Sequence, residues 1–130
     1  MIVIDASALV ELIIGGTPRA SNVARRVARP EVRLHAPHVI DLEVISALRT
    51  MEGGGLSSTL AGRAVQDLFA LDLTRYPHDI LGPRIWQLRK NITPYDAAYI
   101  ALAEALGVPL LTCDRKLANA HGHRAVIDLV

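Results

Sequence analysis

The chain has 130 residues, 51% of them hydrophobic, and a formal net charge of +1. That length suits one domain with a proper core, and the apolar content excludes a disordered chain. A whole-molecule charge near zero neither requires nor excludes a nucleic-acid partner. The interior reads as aliphatic, with one Trp and one Phe, which favours an α/β fold over an aromatic-rich β-sandwich. A single cysteine, Cys113, rules out an internal disulfide and fits a reducing cytosol. No run approaches the ~20 apolar residues of a membrane span, and the first residues lack a signal-peptide pattern. A cytoplasmic protein of one domain, residues 1–130, is expected.

Ile2-Val3-Ile4 reads as a buried central strand running straight into Asp5, and Ser7 is placed to cap a short helix over 8–14. Gly15-Gly16 stops that helix, and Thr17-Pro18 restarts one with arginines off its apolar stripe. A second strand is expected over 32–36, punctuated by Pro37, then a helix over 38–52 with Ile40, Val44, Ala47, Leu48 and Met51 inward. After Gly53-Gly54-Gly55, Ser57 or Ser58 caps a helix ending near Leu71. A brief strand over 72–74 and a helix reaching Lys90 follow, with Pro83 obscuring the start of the latter. Thr93-Pro94 opens a helix so apolar over 97–106 that it must be buried on most sides. Gly107 ends it, a core strand over 108–113 leads into Asp114, and a short helix over 115–120 and a strand over 125–129 close the chain. Strands alternating with helices imply a mostly parallel central sheet with helices on both faces, in three layers.

Four acids sit in unusual places. Asp5 and Asp114 each follow an apolar strand, and in a parallel sheet those ends open onto one edge, the usual place for ligand chemistry. Asp96 lies in the first turn of the most apolar helix, and Glu43 in the first half of its own. Helix starts share that edge, so all four can converge. Gathered carboxylates repel one another unless a cation lies between them. A site of oxygen donors without Cys or His suits Mg²⁺ or Mn²⁺, which activates water and stabilises charge on a phosphodiester. Two such ions would lie ~4 Å apart. Metal-assisted phosphodiester hydrolysis is the reading from the residues.

Four blocks carry a family resemblance as well. Ile4-Asp5-Ala6-Ser7, Asp41-Leu42-Glu43-Val44-Ile45-Ser46-Ala47-Leu48-Arg49, Thr93-Pro94-Tyr95-Asp96-Ala97-Ala98-Tyr99 and Leu111-Thr112-Cys113-Asp114-Arg115-Lys116-Leu117 resemble PIN-domain ribonucleases, and among them the VapC toxins. The resemblance covers essentially the whole chain, in order. It implies the toxin of a type II toxin–antitoxin pair: a Mg²⁺- or Mn²⁺-dependent endoribonuclease that leaves a 5′-phosphate. A small cognate antitoxin would inhibit it, operator DNA would be met only through that antitoxin, and homodimers are common in the family. By position, Asp5, Glu43, Asp96 and Asp114 are implied as the acidic metal site, with Asp5 and Asp96 the firmest ligands. Ser7 and Thr112 match hydroxyls that orient the acids or water. Cys113 stands where relatives often carry another small residue.

Plainer readings stand beside these. Asp5 and Asp114 each suit a helix cap, Asp96 suits the helix dipole, and Asp41 competes with Glu43, the family pattern choosing Glu43. His35, His38, His121 and His123 read as structural or surface residues, and Cys113 as a buried strand residue without a partner base. Arg25-Arg26, Arg89-Lys90 and Arg115-Lys116 read as solvated helix faces, with Arg115-Lys116 the best candidate for RNA phosphates. Tyr95, Tyr99 and Trp86 could stack on a base but suit packing better. Two other classes compete. An aspartyl phosphatase with Asp5 as nucleophile wants a second acid where Ser7 stands, and an inactive binding module or operon co-repressor has no need of four intact acids.

Overall fold

In the computed structural model, which describes residues 1–130, the opening run forms strand β1 (Ile2–Ile4) at the centre of a five-stranded parallel sheet. Its N–H groups donate alternately to either side: Ile2 to the Arg33 carbonyl at 2.9 Å, Val3 to Pro109 at 3.0 Å, Asp5 to Leu111 at 3.1 Å. β2 (Leu34–Pro37) and β4 (Leu110–Thr112) flank it, with β3 (Leu73–Tyr76) outside β2 and β5 (Ile127–Leu129) outside β4. Val3 and Ile4 are fully buried, as a strand covered on both faces requires.

The connections explain the layers. From β1 the chain passes through α1 (Ala6–Ile14) and α2 (Pro18–Val27) to β2, then through α3 (Val39–Gly53) and α4 (Ser58–Ala70) to β3. Both steps move outward the same way. α5 (Gly82–Gln87) and α6 (Pro94–Leu106) then carry it back across the sheet to β4, and α7 (Arg115–Ala118) on to β5. Right-handed crossovers put helices of opposite travel on opposite faces, and the packing agrees. α1 touches α2, α3 and α4, while α5 packs on α6, which lies against β1, β2 and β4. Every residue of α6 from Ala97 to Ala103 is buried, and its alanines let it lie close to the sheet. Gly107 ends α6 in the left-handed conformation (φ 66°), which a side chain would resist.

The order β3-β2-β1-β4-β5 reverses direction between β1 and β4. In open α/β sheets ligands bind in the crevice beyond the strand C-termini at such a reversal. Asp5 and Asp114 flank this one.

Several expectations shift locally. Asp5, not Ser7, caps α1: its extended backbone (φ −92°, ψ 174°) brings Oδ1 to the Ala8 N–H, so the helix starts at Ala6 and Ser7 lies inside it. β3 runs over 73–76 because four residues pair with β2, from Leu34 against Leu73 to Pro37 against Tyr76. α5 stops at Gln87 instead of reaching Lys90, and Leu88 and Ile92 are buried in the turns that follow. Thr93 is extended (φ −63°, ψ 153°), as a residue before proline prefers, so no helix can run through it. α7 and β5 are each shorter than expected. His35 lies within β2, as the expected second strand has it, and is buried.

Candidate active site

Asp5 ends β1 with only 5% of its surface exposed. Its carboxylate accepts three hydrogen bonds. Oδ1 takes the Ser7 hydroxyl at 2.7 Å and the Ala8 N–H at 3.0 Å, and Oδ2 takes the Thr112 hydroxyl. Both hydroxyls work twice, since Ser7 Oγ also accepts the Cys113 N–H at 2.9 Å and Thr112 Oγ1 the Asp114 N–H at 2.9 Å. With both protons committed to Asp5, the 3.3 Å approach of Ser7 to Thr112 is a contact and not a further bond. The end of β4 is thereby clasped to the end of β1 through one buried carboxylate. Of its roughly four lone-pair positions, one on Oδ2 stays open.

The other three acids come to the same rim. Glu43 projects from α3, and its Oε1 accepts a short hydrogen bond from the hydroxyl of Tyr99, a buried residue of α6. Asp96 is half-buried in the first turn of α6. Thr93 caps its N–H, and its own carboxylate makes no hydrogen bond or ion pair. Asp114 caps α7 through the Lys116 N–H at 2.9 Å. Burial is the main force raising the pKa of Asp5, and three hydrogen bonds oppose it while the Asp114 charge adds to it. Glu43 is raised by burial against the Tyr99 bond, and further by Asp96 and Asp5. Asp96 is raised by burial and by Asp114, with Lys116 opposing. These repulsions run as a chain, from Glu43 to Asp5 and Asp96 and from those two to Asp114. Tyr99 is pushed far above its ordinary range by burial and by the carboxylate it touches, and stays a donor.

No three Asp, Glu, His or Cys side chains stand close enough to cage a metal ion directly. The donors suit a hydrated hard cation instead, because Mg²⁺ keeps several waters and takes one or two carboxylates. An open lone pair on Asp5, the unpartnered carboxylate of Asp96 and oxygen donors throughout fit that description.

Asp41 faces away and pairs with Arg75 at 2.8 Å, so Glu43 alone of the two turns to the rim. His35 Nδ1 meets the Tyr76 hydroxyl at 2.7 Å, His123 bonds the local backbone, and His38 and His121 are exposed. Trp86 is exposed with Arg89 stacked 4.3 Å from its ring centre, and Arg26 pairs with Asp128. Cys113 is partly buried, and burial raises its thiol. The grip of Tyr99 on Glu43 went unread in the sequence, although the position of Tyr99 three residues after Asp96 puts both on one helix face. A groove of about 460 Å³ beside Asp96, lined also by Asn91, Lys116, Asn119 and His121, was equally invisible, since its walls come from two separate connections.

The PIN domain family matches residues 2–122. Ribonuclease VapC12 of Mycobacterium tuberculosis is 47% identical over all of this chain and 99% of its own length. The chain belongs to the VapC ribonucleases of the PIN-domain family. Among solved structures, the sarcin–ricin-loop-cleaving toxin VapC20 of M. tuberculosis superposes with a TM-score of 0.71 at 15% identity, over 91% of this chain and 93% of its own. VapBC2 of Rickettsia felis, bound to a DNA fragment from its promoter, gives 0.60 at 14% identity over 99% and 98%. At such identities the likeness speaks for the fold alone.

Proposed function

We propose that the rim formed by Asp5, Glu43, Asp96 and Asp114 is where this chain hydrolyses RNA, with Mg²⁺, or Mn²⁺ in its place, as the resident ion. The chain is an endoribonuclease of the toxin–antitoxin kind by family. The single observation that carries the site is the clasp on Asp5: a buried carboxylate at the reversal of the sheet, oriented by Ser7 and Thr112 and close enough to Asp114 and Glu43 to feel their charge. A cation held there supplies Lewis-acid charge against the scissile phosphate and lowers the pKa of water. Asp5 and Asp96 would be the firmest holders of such an ion, with Asp114 and Glu43 completing the acidic set. Glu43 has Oε1 held by Tyr99, which leaves Oε2 to orient the attacking water and accept its proton. Lys116, lining the groove with Asp96, offers its ammonium to an RNA phosphate. The product carries a 5′-phosphate.

A small antitoxin that covers the rim is the partner this function calls for, with operator DNA reached through it and a homodimer as the assembled toxin. The cytoplasm is the compartment where such a pair acts, and no helix is long and apolar enough to cross a membrane.

The test uses the purified chain, freed of any co-purifying protein by refolding, on a pool of random-sequence RNA with Mg²⁺ or Mn²⁺. Asp5→Asn keeps the shape and removes the charge, so cleavage should fall on the order of a hundredfold or more while the circular dichroism stays unchanged. Equal cutting by wild type and Asp5→Asn would end this reading.

A further inference from the structure

Beside the acids lies a second, quite different cavity of about 280 Å³, lined by Val39, His78, Pro94, Tyr95 and Ala98. Its position follows from elements already placed. Val39 opens α3 one helical turn before Glu43, on the same face. Pro94 and Tyr95 open α6, and Tyr95 is the immediate neighbour of Asp96. His78 follows β3, where the His38 N–H donates to the Tyr76 carbonyl at 2.9 Å and holds the ends of β2 and β3 together. The slot is therefore on the same edge of the sheet as Asp5, within a turn of two of the four carboxylates.

Its walls have one chemistry. Tyr95 has 61% of its surface exposed although it is aromatic, and no hydrogen bond occupies its hydroxyl. Pro94, Val39 and Ala98 add flat aliphatic surface. His78 supplies the polar group. Its Nε2 lies 3.0 Å from the Val39 N–H, which can only donate, so Nε2 accepts. The ring proton is then on Nδ1, and no protein group receives it. His38 stands edge-on to His78, with ring centres 6.2 Å apart. The volume lies just below the range of small-molecule sites, roughly 300–1,000 Å³, and it suits one planar heterocycle better than a whole nucleotide. An exposed aromatic face, aliphatic edges and one free N–H are the means by which proteins seize an unstacked base.

We propose that this slot takes one unpaired nucleobase of the RNA, stacked on Tyr95 and hydrogen-bonded through a ring nitrogen or carbonyl to His78 Nδ1–H. It thereby fixes which phosphate reaches the acids. The proposal rests on the ribonuclease reading and adds a base-selecting position to it. The base is seated one residue from Asp96, so the slot sets the cutting register. It contributes both affinity and a preference at one nucleotide beside the cut.

Two measurements keep this subsite separable from the catalytic reading. In the first, UMP, CMP, AMP and GMP are titrated in turn against the metal-free chain while the imidazole signals of His78 and the ring signals of Tyr95 are followed by NMR. At least one nucleotide should move both sets in wild type, and none should move the His78 signals in Tyr95→Ala. In the second, cleavage sites in a random-sequence RNA pool are mapped. Tyr95→Ala should slow cutting roughly five- to a hundredfold, the range of one lost base stack, and flatten the preference at a single position. Tyr95→Phe, which keeps the ring, should recover both. If wild type fails to cut yet the nucleotide shifts occur, the subsite stands and the ribonuclease reading falls. If wild type cuts, no nucleotide moves these signals, and Tyr95→Ala cuts with unchanged rate and preference, the subsite is overturned and the catalytic reading is left intact.

Discussion

Thr112 shows how much one side chain decides at the rim. It is completely buried, gives its proton to Asp5 and receives the Asp114 N–H. Thr112→Val keeps the shape and removes both bonds. Leaving the Asp114 N–H unpaired costs about 1–3 kcal/mol of stability. On the metal-holding role proposed for Asp5, loosening it should lower the cleavage rate roughly ten- to a hundredfold. Urea unfolding and single-turnover cleavage check the two effects separately. A variant that loses stability and cuts at the wild-type rate would show that Asp5 needs no such support.

His35 gives the pH dependence. Burial lowers its pKa, with the N-terminal charge adding to that, and its Nε2 is buried without a partner. The folded chain therefore keeps His35 neutral at pH values where the unfolded chain, titrating near 6.5, takes up a proton. Stability from this residue is complete above the unfolded value and is lost as pH falls below it toward the depressed folded value. His35→Phe fills the space and cannot titrate. It should lose about 1 kcal/mol at neutral pH with the Tyr76 bond, and show a smaller fall in urea midpoint between pH 7 and pH 5.5 than wild type. Parallel slopes for the two proteins would contradict the assignment.

Among the elements, α5 is the one that cannot stand alone. Six residues fall below the length at which a helix holds itself in water, and none of them is fully buried. Arg84 fastens it to α6 through two bonds to Glu104, at 2.8 and 3.0 Å, and Glu104 also receives the Arg124 N–H at 2.8 Å. Glu104→Ala removes all three and leaves Arg84 without its partner, for an expected loss of about 1–3 kcal/mol. Amide exchange should quicken over residues 84–88 while the middle of α6 keeps its protection, because the seven buried residues there are held by the sheet. Uniform loss of protection across both helices would show that α5 and α6 unfold as one unit. α6 itself was plain in the sequence. Thr93, Pro94 and Gly107 are its cap, first turn and stop, and the seven apolar residues from Ala97 to Ala103 leave no polar face over that stretch. The end of α5 was not plain, because apolar residues continue past Gln87, and Leu88 and Ile92 are buried from turns and not from helix.

For the whole molecule, one prediction follows from gathering four like charges at the reversal of the sheet. Mutual repulsion destabilises the metal-free fold at neutral pH, so Mg²⁺ should raise the melting temperature. At a hundredfold excess over its Kd the gain is roughly 2.7 kcal/mol. Asp5→Asn should shrink that rise, and chelation should reverse it in wild type. An equal rise in both proteins would place the ion elsewhere.

The sequence by itself settled the alternation of strands and helices, most helix starts and stops, and the identity of the acids at strand and helix ends. Those signals act within a turn or a pair of neighbouring residues, where the chain has no choice of partner. Only the tertiary structure could hand the cap of α1 to Asp5, set Tyr99 against Glu43 and bring Thr112 to a carboxylate 107 residues away. Strand order and register place those groups side by side. They arise from burying the whole sheet at once, and no local run of residues encodes them.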